Sequence, residues 1–234
     1  MPRLFENAKK KWKRVVFFII LSIVFWLVEF GYQFYVVSEG LFGASIIRSF
    51  AFSGATFIGL SLLLSVVFKF KPVYRKYWTE RRNLGVMGTV FVFIHILAAI
   101  SIYYMGSLPA LVWSFDPFRN PLIFGILGII IFFPPFITSA DWMVFKLGGK
   151  NWKRVQNLVH PAYLVAVLHY LTQAPRELNN LAGYLLLFVT ALVLAGHLYW
   201  FIRSIKEKKS SRNYITIGLI IILLWILSLA IIYL

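Results

Sequence analysis

Seven apolar runs, at residues 15–36, 46–68, 84–105, 121–139, 155–171, 178–202 and 214–234, take up most of this 234-residue chain. A helix rising about 1.5 Å per residue needs roughly 20 such residues to cross a hydrocarbon core about 30 Å thick. Lipid offers no water to backbone N–H and C=O groups, so a run of this length must satisfy them within its own helix. The chain is 60% hydrophobic with a mean hydropathy of +0.79, far too apolar for a soluble domain of this size. The expected fold is an all-α, polytopic integral membrane bundle. The first run follows a basic segment and has no small-residue cleavage site behind it, so a signal peptide is not expected.

A net charge of +16 would suggest nucleic acid in a soluble protein. Its distribution points elsewhere. Alternate loops hold 21 of the 24 Lys and Arg residues. By the positive-inside rule, the N-terminus is then cytoplasmic, the C-terminus lies outside, and the chain sits in the cell membrane. The basic face suits anionic lipid headgroups, and nucleic acid is not a partner. The absence of cysteine excludes disulfides, thiolate catalysis and iron–sulfur ligation, so any redox chemistry belongs to a cofactor held by other ligands.

The loops are short, about fifteen residues at most, and none carries a Gly-rich dinucleotide fingerprint; Gly148-Gly149 reads as a turn. Electrons crossing such a chain must come from a separate donor. Pro134-Pro135 and Pro161 are expected to bend the fourth and fifth helices. Gly54, Gly59, Gly85 and Gly88 permit close helix contact or the approach of a flat cofactor. Trp12, Trp78, Trp113, Trp142 and Trp152 read as interfacial anchors.

Depth sorts the four histidines. His95 lies thirteen residues past Arg82 and His169 fifteen past Arg154, which places them ~20 and ~22 Å from the inner edge of the core. His160 and His197 are each six residues from an inner-edge Arg, at ~9 Å. One site cannot use all four. His160 and His169 are nine residues apart, on opposite faces of a straight helix; if His169 faces the third helix, His160 turns toward the sixth and His197. An imidazole inside a membrane is a functional candidate by default. Two at matching depth suit the axial positions of a haem iron; hydrogen-bonding helix contacts are the alternative. Zinc fits poorly, because its sites want three or four ligands, usually including Cys or carboxylate. Glu29, ~22 Å beyond Arg14, could support a ligating His, carry protons, or reach the outer surface.

Residues 81–173, roughly 40% of the chain, carry a further pattern. Arg81-Arg82-Asn83-Leu84-Gly85 opens the third helix, followed by His95; Thr138-Ser139 closes the fourth; Leu147-Gly148 and Trp152 come next; and the fifth runs from Gln156 through His160-Pro161 to His169-Tyr170. In these motifs the chain resembles the ferric-reductase-type transmembrane domain, and within it the MsrQ (YedZ) family of haem-binding membrane subunits. The resemblance implies a six-helix core, residues 15–203, with His95 and His169 as axial ligands of haem b, one per chain. Residues 1–14 then form a basic cytoplasmic N-terminus, and residues 204–234 a loop and a seventh C-terminal helix beyond the family's usual six.

Two departures bear on a second haem. Gln156 stands where the family usually places a His, and Arg81 stands at the inner-ligand position of the larger oxidases, where an always-charged guanidinium cannot ligate. His160 with His197 is a substitute pair, or a site that hydrogen-bonds quinone. Outer-side Arg48, Arg119 or Arg176 could meet haem propionates. The resulting expectation is a membrane b-type cytochrome, the electron-transfer subunit of a transmembrane oxidoreductase rather than a complete enzyme. It would take electrons from a cytoplasmic flavin reductase or quinol and pass them to an outer acceptor: a methionine sulfoxide reductase, ferric iron or oxygen. The rival expectations are a proton-coupled transporter or proton-conducting bundle using the histidines and Glu29, and a structural scaffold with the histidines as polar glue.

Overall fold

The computed structural model describes residues 2–174 and 179–206. Arg176 and the run at 214–234 lie outside them. Seven helices and no strand are found among the described residues: α1 (Pro2–Tyr32), continued by a π-turn over Gln33–Val37, α2 (Phe42–Phe70), α3 (Trp78–Ile102), α4 (Leu122–Ile137), α5 (Asp141–Gln156), α6 (Val159–Gln173) and α7 (Leu181–Lys206). The protein is an all-α polytopic membrane bundle. Four segments are long and apolar enough to cross a bilayer alone: Trp12–Val37, Phe42–Phe70, Pro72–Ile102 and Leu181–Arg203. The fourth and fifth apolar runs differ from expectation. They form α4 and α6, of 16 and 15 residues, and α4 meets the segment Asp141–Gln173 at a bend of 106°.

Proline chemistry accounts for the bend. Pro134 and Pro135 lie in the last turn of α4 and donate no backbone hydrogen bond. The helix ends two residues later, where the Thr138 and Ser139 hydroxyls donate to the Pro134 and Pro135 carbonyls at 2.7 Å each. From α5, Trp152 Nε1 donates to the Thr138 carbonyl at 2.8 Å. Gln156 Nε2 donates to the Pro135 carbonyl and to Thr138 Oγ1, both at 2.9 Å. Trp152 is thus a tie between helices as well as an interfacial ring. The expected bend at Pro161 is absent because α6 begins only at Val159, which puts the proline in the first turn, where a missing N–H costs nothing. Gly148, at φ +69°, breaks α5 as a turn residue would.

Helix α2 is the hub. It packs along α3, α7 and α1 and touches α6, while α4 packs on α6. Small residues make this possible. A Cβ at Gly54 would stand 2.9 Å from the Gly88 carbonyl oxygen, and one at Gly88 would stand 2.8 Å from the Gly54 carbonyl oxygen, so α2 and α3 cross backbone to backbone. For Gly54, Gly59 and Gly88, helix contact is the option found. The main core joins Ile58 and Leu62 of α2 to Tyr163, Val167 and Leu171 of α6 and Val189 and Val193 of α7.

Candidate functional site

His95 projects from α3 toward α2, where its Nδ1 lies 2.9 Å from the Ile47 carbonyl oxygen. His169 projects from α6 toward α4, where its Nδ1 lies 3.0 Å from the Pro121 carbonyl oxygen. A carbonyl only accepts, so each Nδ1 carries the proton and each Nε2 keeps its lone pair. The His169 ring rests on Gly125, where an added Cβ would come within 3.3 Å of Cε1 and Nδ1. Asn120 holds the start of α4 in place, its Nδ2 donating to the Leu111 and Ser114 carbonyls at 2.9 and 3.1 Å.

Both rings are carried on helices packed into the bundle. Their helices, however, make next to no contact with each other: α3 leans on α2, and α6 on α4. The arrangement leaves two free imidazole lone pairs from separate walls, each ring aimed by a backbone acceptor. Ligating histidines are commonly held in this way, with the second nitrogen donating to a carbonyl. The donor set fits an iron that takes two neutral nitrogens. Neither Pro121, Asn120 nor Gly125 was singled out from sequence, since a backbone carbonyl carries no residue signature.

The other candidates are placed differently. His160 and His197 meet edge to face, ring centroids 4.7 Å apart at 89°. Metal–nitrogen bonds of about 2 Å on both faces of a porphyrin need centroids roughly 6 Å apart, so the pair as placed has no room for one. His160 Nδ1 donates to the Asn157 carbonyl at 3.1 Å, and Lys69, not anticipated from sequence, donates to His197 Nδ1 at 3.3 Å. Arg48 donates to Ser38 Oγ at 3.0 Å. Arg119 is largely exposed and pairs with Asp116 at 3.5 Å. Glu29 corrects an expectation: it is buried and accepts from Gln33 Nε2 at 2.9 Å, so its carboxylate does not reach the surface. Among the described residues, no group of three or more His, Asp or Glu side chains is placed to hold a metal ion.

Two intramembrane histidines on separate apolar helices, each tied through Nδ1 to a backbone carbonyl, suit a membrane redox protein. Residues 50–167 match the family described as ferric reductase like transmembrane component, and the chain belongs to that family. The match includes His95 and ends two residues before His169. The chain is 28% identical over 142 residues to the protein-methionine-sulfoxide reductase heme-binding subunit MsrQ of Rhodospirillum rubrum, covering 58% of this chain and 64% of that one. It is 31% identical over 91 residues to the MsrQ of Caulobacter vibrioides, 38% of this chain and 42% of that one. It is 24% identical over 177 residues to the magnetosome protein MamZ of Magnetospirillum gryphiswaldense, 74% of this chain and 27% of that one. The chain thus covers less than two thirds of each of these relatives. No solved structure matches it significantly.

Proposed function

We propose that the protein is a haem-binding, electron-transfer subunit of the membrane, with His95 and His169 as the two axial ligands of one haem b. The observation that carries this reading is the pair of Nε2 lone pairs left free by Nδ1 bonds to the Ile47 and Pro121 carbonyls. The MsrQ relatives, named as heme-binding subunits, support it. A bound haem supplies reversible one-electron chemistry between its ferric and ferrous states. The chain's own part is ligation and orientation. Helix α2 aims one ring and the start of α4 the other, and apolar helix faces around a bound haem would tune its potential.

The alternation of basic loops supports an N-terminus in the cytoplasm. Electrons then enter at the basic end from a cytoplasmic flavin reductase or a quinol and leave at the opposite end. The acceptor there is a methionine sulfoxide reductase, ferric iron or another outer oxidant. Purified from haem-replete cells, the protein should show a Soret band that shifts on reduction, at one haem per chain. A colourless, folded protein would remove the reading.

A further inference from the structure

Two kinds of cation stand side by side at the basic end of the bundle. Arg14 pairs with Glu80 at 3.4 Å, and Arg82 pairs with Asp141. Lys69 and Arg81 have no carboxylate partner among the described residues. Lys69 reaches only His197 Nδ1, at 3.3 Å. Arg81 donates from Nε to the Ser61 carbonyl at 3.2 Å and lies 4.7 Å over the Trp78 ring, which leaves both Nη groups without a hydrogen bond. The two charges act on each other, and Lys153 of α5 adds a third. A partly buried charge without a counter-ion costs free energy, and among the described residues these two cations lack one.

A small cleft of about 50 Å³ opens onto Arg81 between α2, α3, α4, α5 and α6. Whole small-ligand sites run to about 300–1,000 Å³, so this cleft suits a single compact group of a few heavy atoms. Trp78 and Trp152, ring centroids 6.4 Å apart, stand on its wall, and Gly85 keeps the wall of α3 open. Gln156 also lines it, but its amide hydrogens are committed to α4.

We propose that this cleft binds a phosphate group, anchored by the guanidinium of Arg81. A guanidinium presents paired donors that match a phosphate's oxygens, and tryptophan rings suit the headgroup level where a phospholipid would carry one. The phosphate comes either from an anionic phospholipid of the adjacent leaflet or from a soluble phosphate compound. The site does not depend on the haem reading and is tested apart from it.

The test uses the purified full chain and two probes. Native mass spectrometry counts phosphatidylglycerol carried through detergent. Tryptophan emission is titrated with inorganic phosphate against sodium chloride at equal ionic strength. Retention of about one phosphatidylglycerol per chain identifies the lipid source; saturable, phosphate-specific emission change identifies the soluble one. In either case Arg81→Gln should weaken binding tenfold or more and Arg81→Lys several-fold. Should Arg81→Gln fail to fold, Arg81→Lys and the unmutated protein carry the test. Absence of both signals in the unmutated protein, binding undiminished in the Arg81 variants, or a second haem filling the cleft would each overturn the proposal.

Discussion

The bundle holds two histidine pairs whose chemistry differs because of what touches Nδ1. In the pair His95 and His169, both Nδ1 atoms face backbone carbonyls, so both Nε2 atoms are bare acceptors. In the pair His160 and His197, one Nδ1 faces a carbonyl and the other an ammonium. The second contact reverses the tautomer. His197 then carries its proton on Nε2, so the pair offers one acceptor and one donor, with both Nε2 atoms buried and unpartnered. A metal ion needs lone pairs from both sides. Placing one on His197 would push a proton onto Nδ1, against the Lys69 ammonium. Two imidazoles in a membrane are therefore not by themselves a haem site; the atoms behind them decide.

The largest effects should come from removing the lone pairs. His95→Ala and His169→Ala should each abolish most haem retention, read as the haem-to-protein ratio after purification. Full retention in either would break the contrast between the pairs. Gly125→Val should come next, because even a Cβ at that position sits 3.3 Å from the His169 ring and a branched side chain must displace it. Disturbing what orients a ligand typically costs about 10–100-fold in affinity, and the lower end is expected, measured as haem transfer to apomyoglobin. Asn120→Ala removes two hydrogen bonds that set the start of α4. At about 1 kcal/mol each, their loss should lower the unfolding temperature and speed haem loss several-fold while leaving the spectrum in place. An unchanged rate would show that Pro121 is held by other contacts.

How much of this could be seen in the residues alone follows from the same contrast. The apolar runs are properties of side chains, and they marked α1, α2, α3 and α7 directly. The depth of His95 and His169 came from counting residues along helices. Helix α5 did not show, because a 16-residue stretch with Lys146, Lys150, Lys153 and Arg154 reads as a basic loop. It becomes helical where its apolar residues can lie along an interface and where Trp152 and Gln156 can latch onto the end of α4. The carbonyls of Ile47 and Pro121 were invisible for a different reason. Every residue has one, and only tertiary packing determines which is turned toward an imidazole. The Thr138-Ser139 pair was legible as a motif, but its role as the cap of a proline-ended helix was not.

The smallest spectral effects belong to the inner pair, and they sharpen the comparison most. His160→Ala and His197→Ala should leave the Soret band and haem content essentially unchanged, since the two rings pack edge to face on each other with no room for a porphyrin between them. Lys69→Met goes further, because it keeps the side chain's bulk and removes only the donor to His197 Nδ1. In the unmutated protein, ¹⁵N NMR of histidine-labelled material should find His160 protonated on Nδ1 and His197 on Nε2. In Lys69→Met the His197 signals should move toward a mixture of tautomers while those of His95 and His169 stay fixed. Finding His197 already protonated on Nδ1 before substitution would mean that the ammonium does not set the tautomer. The two pairs would then differ only in spacing, and the argument that Nδ1 chemistry separates them would fail.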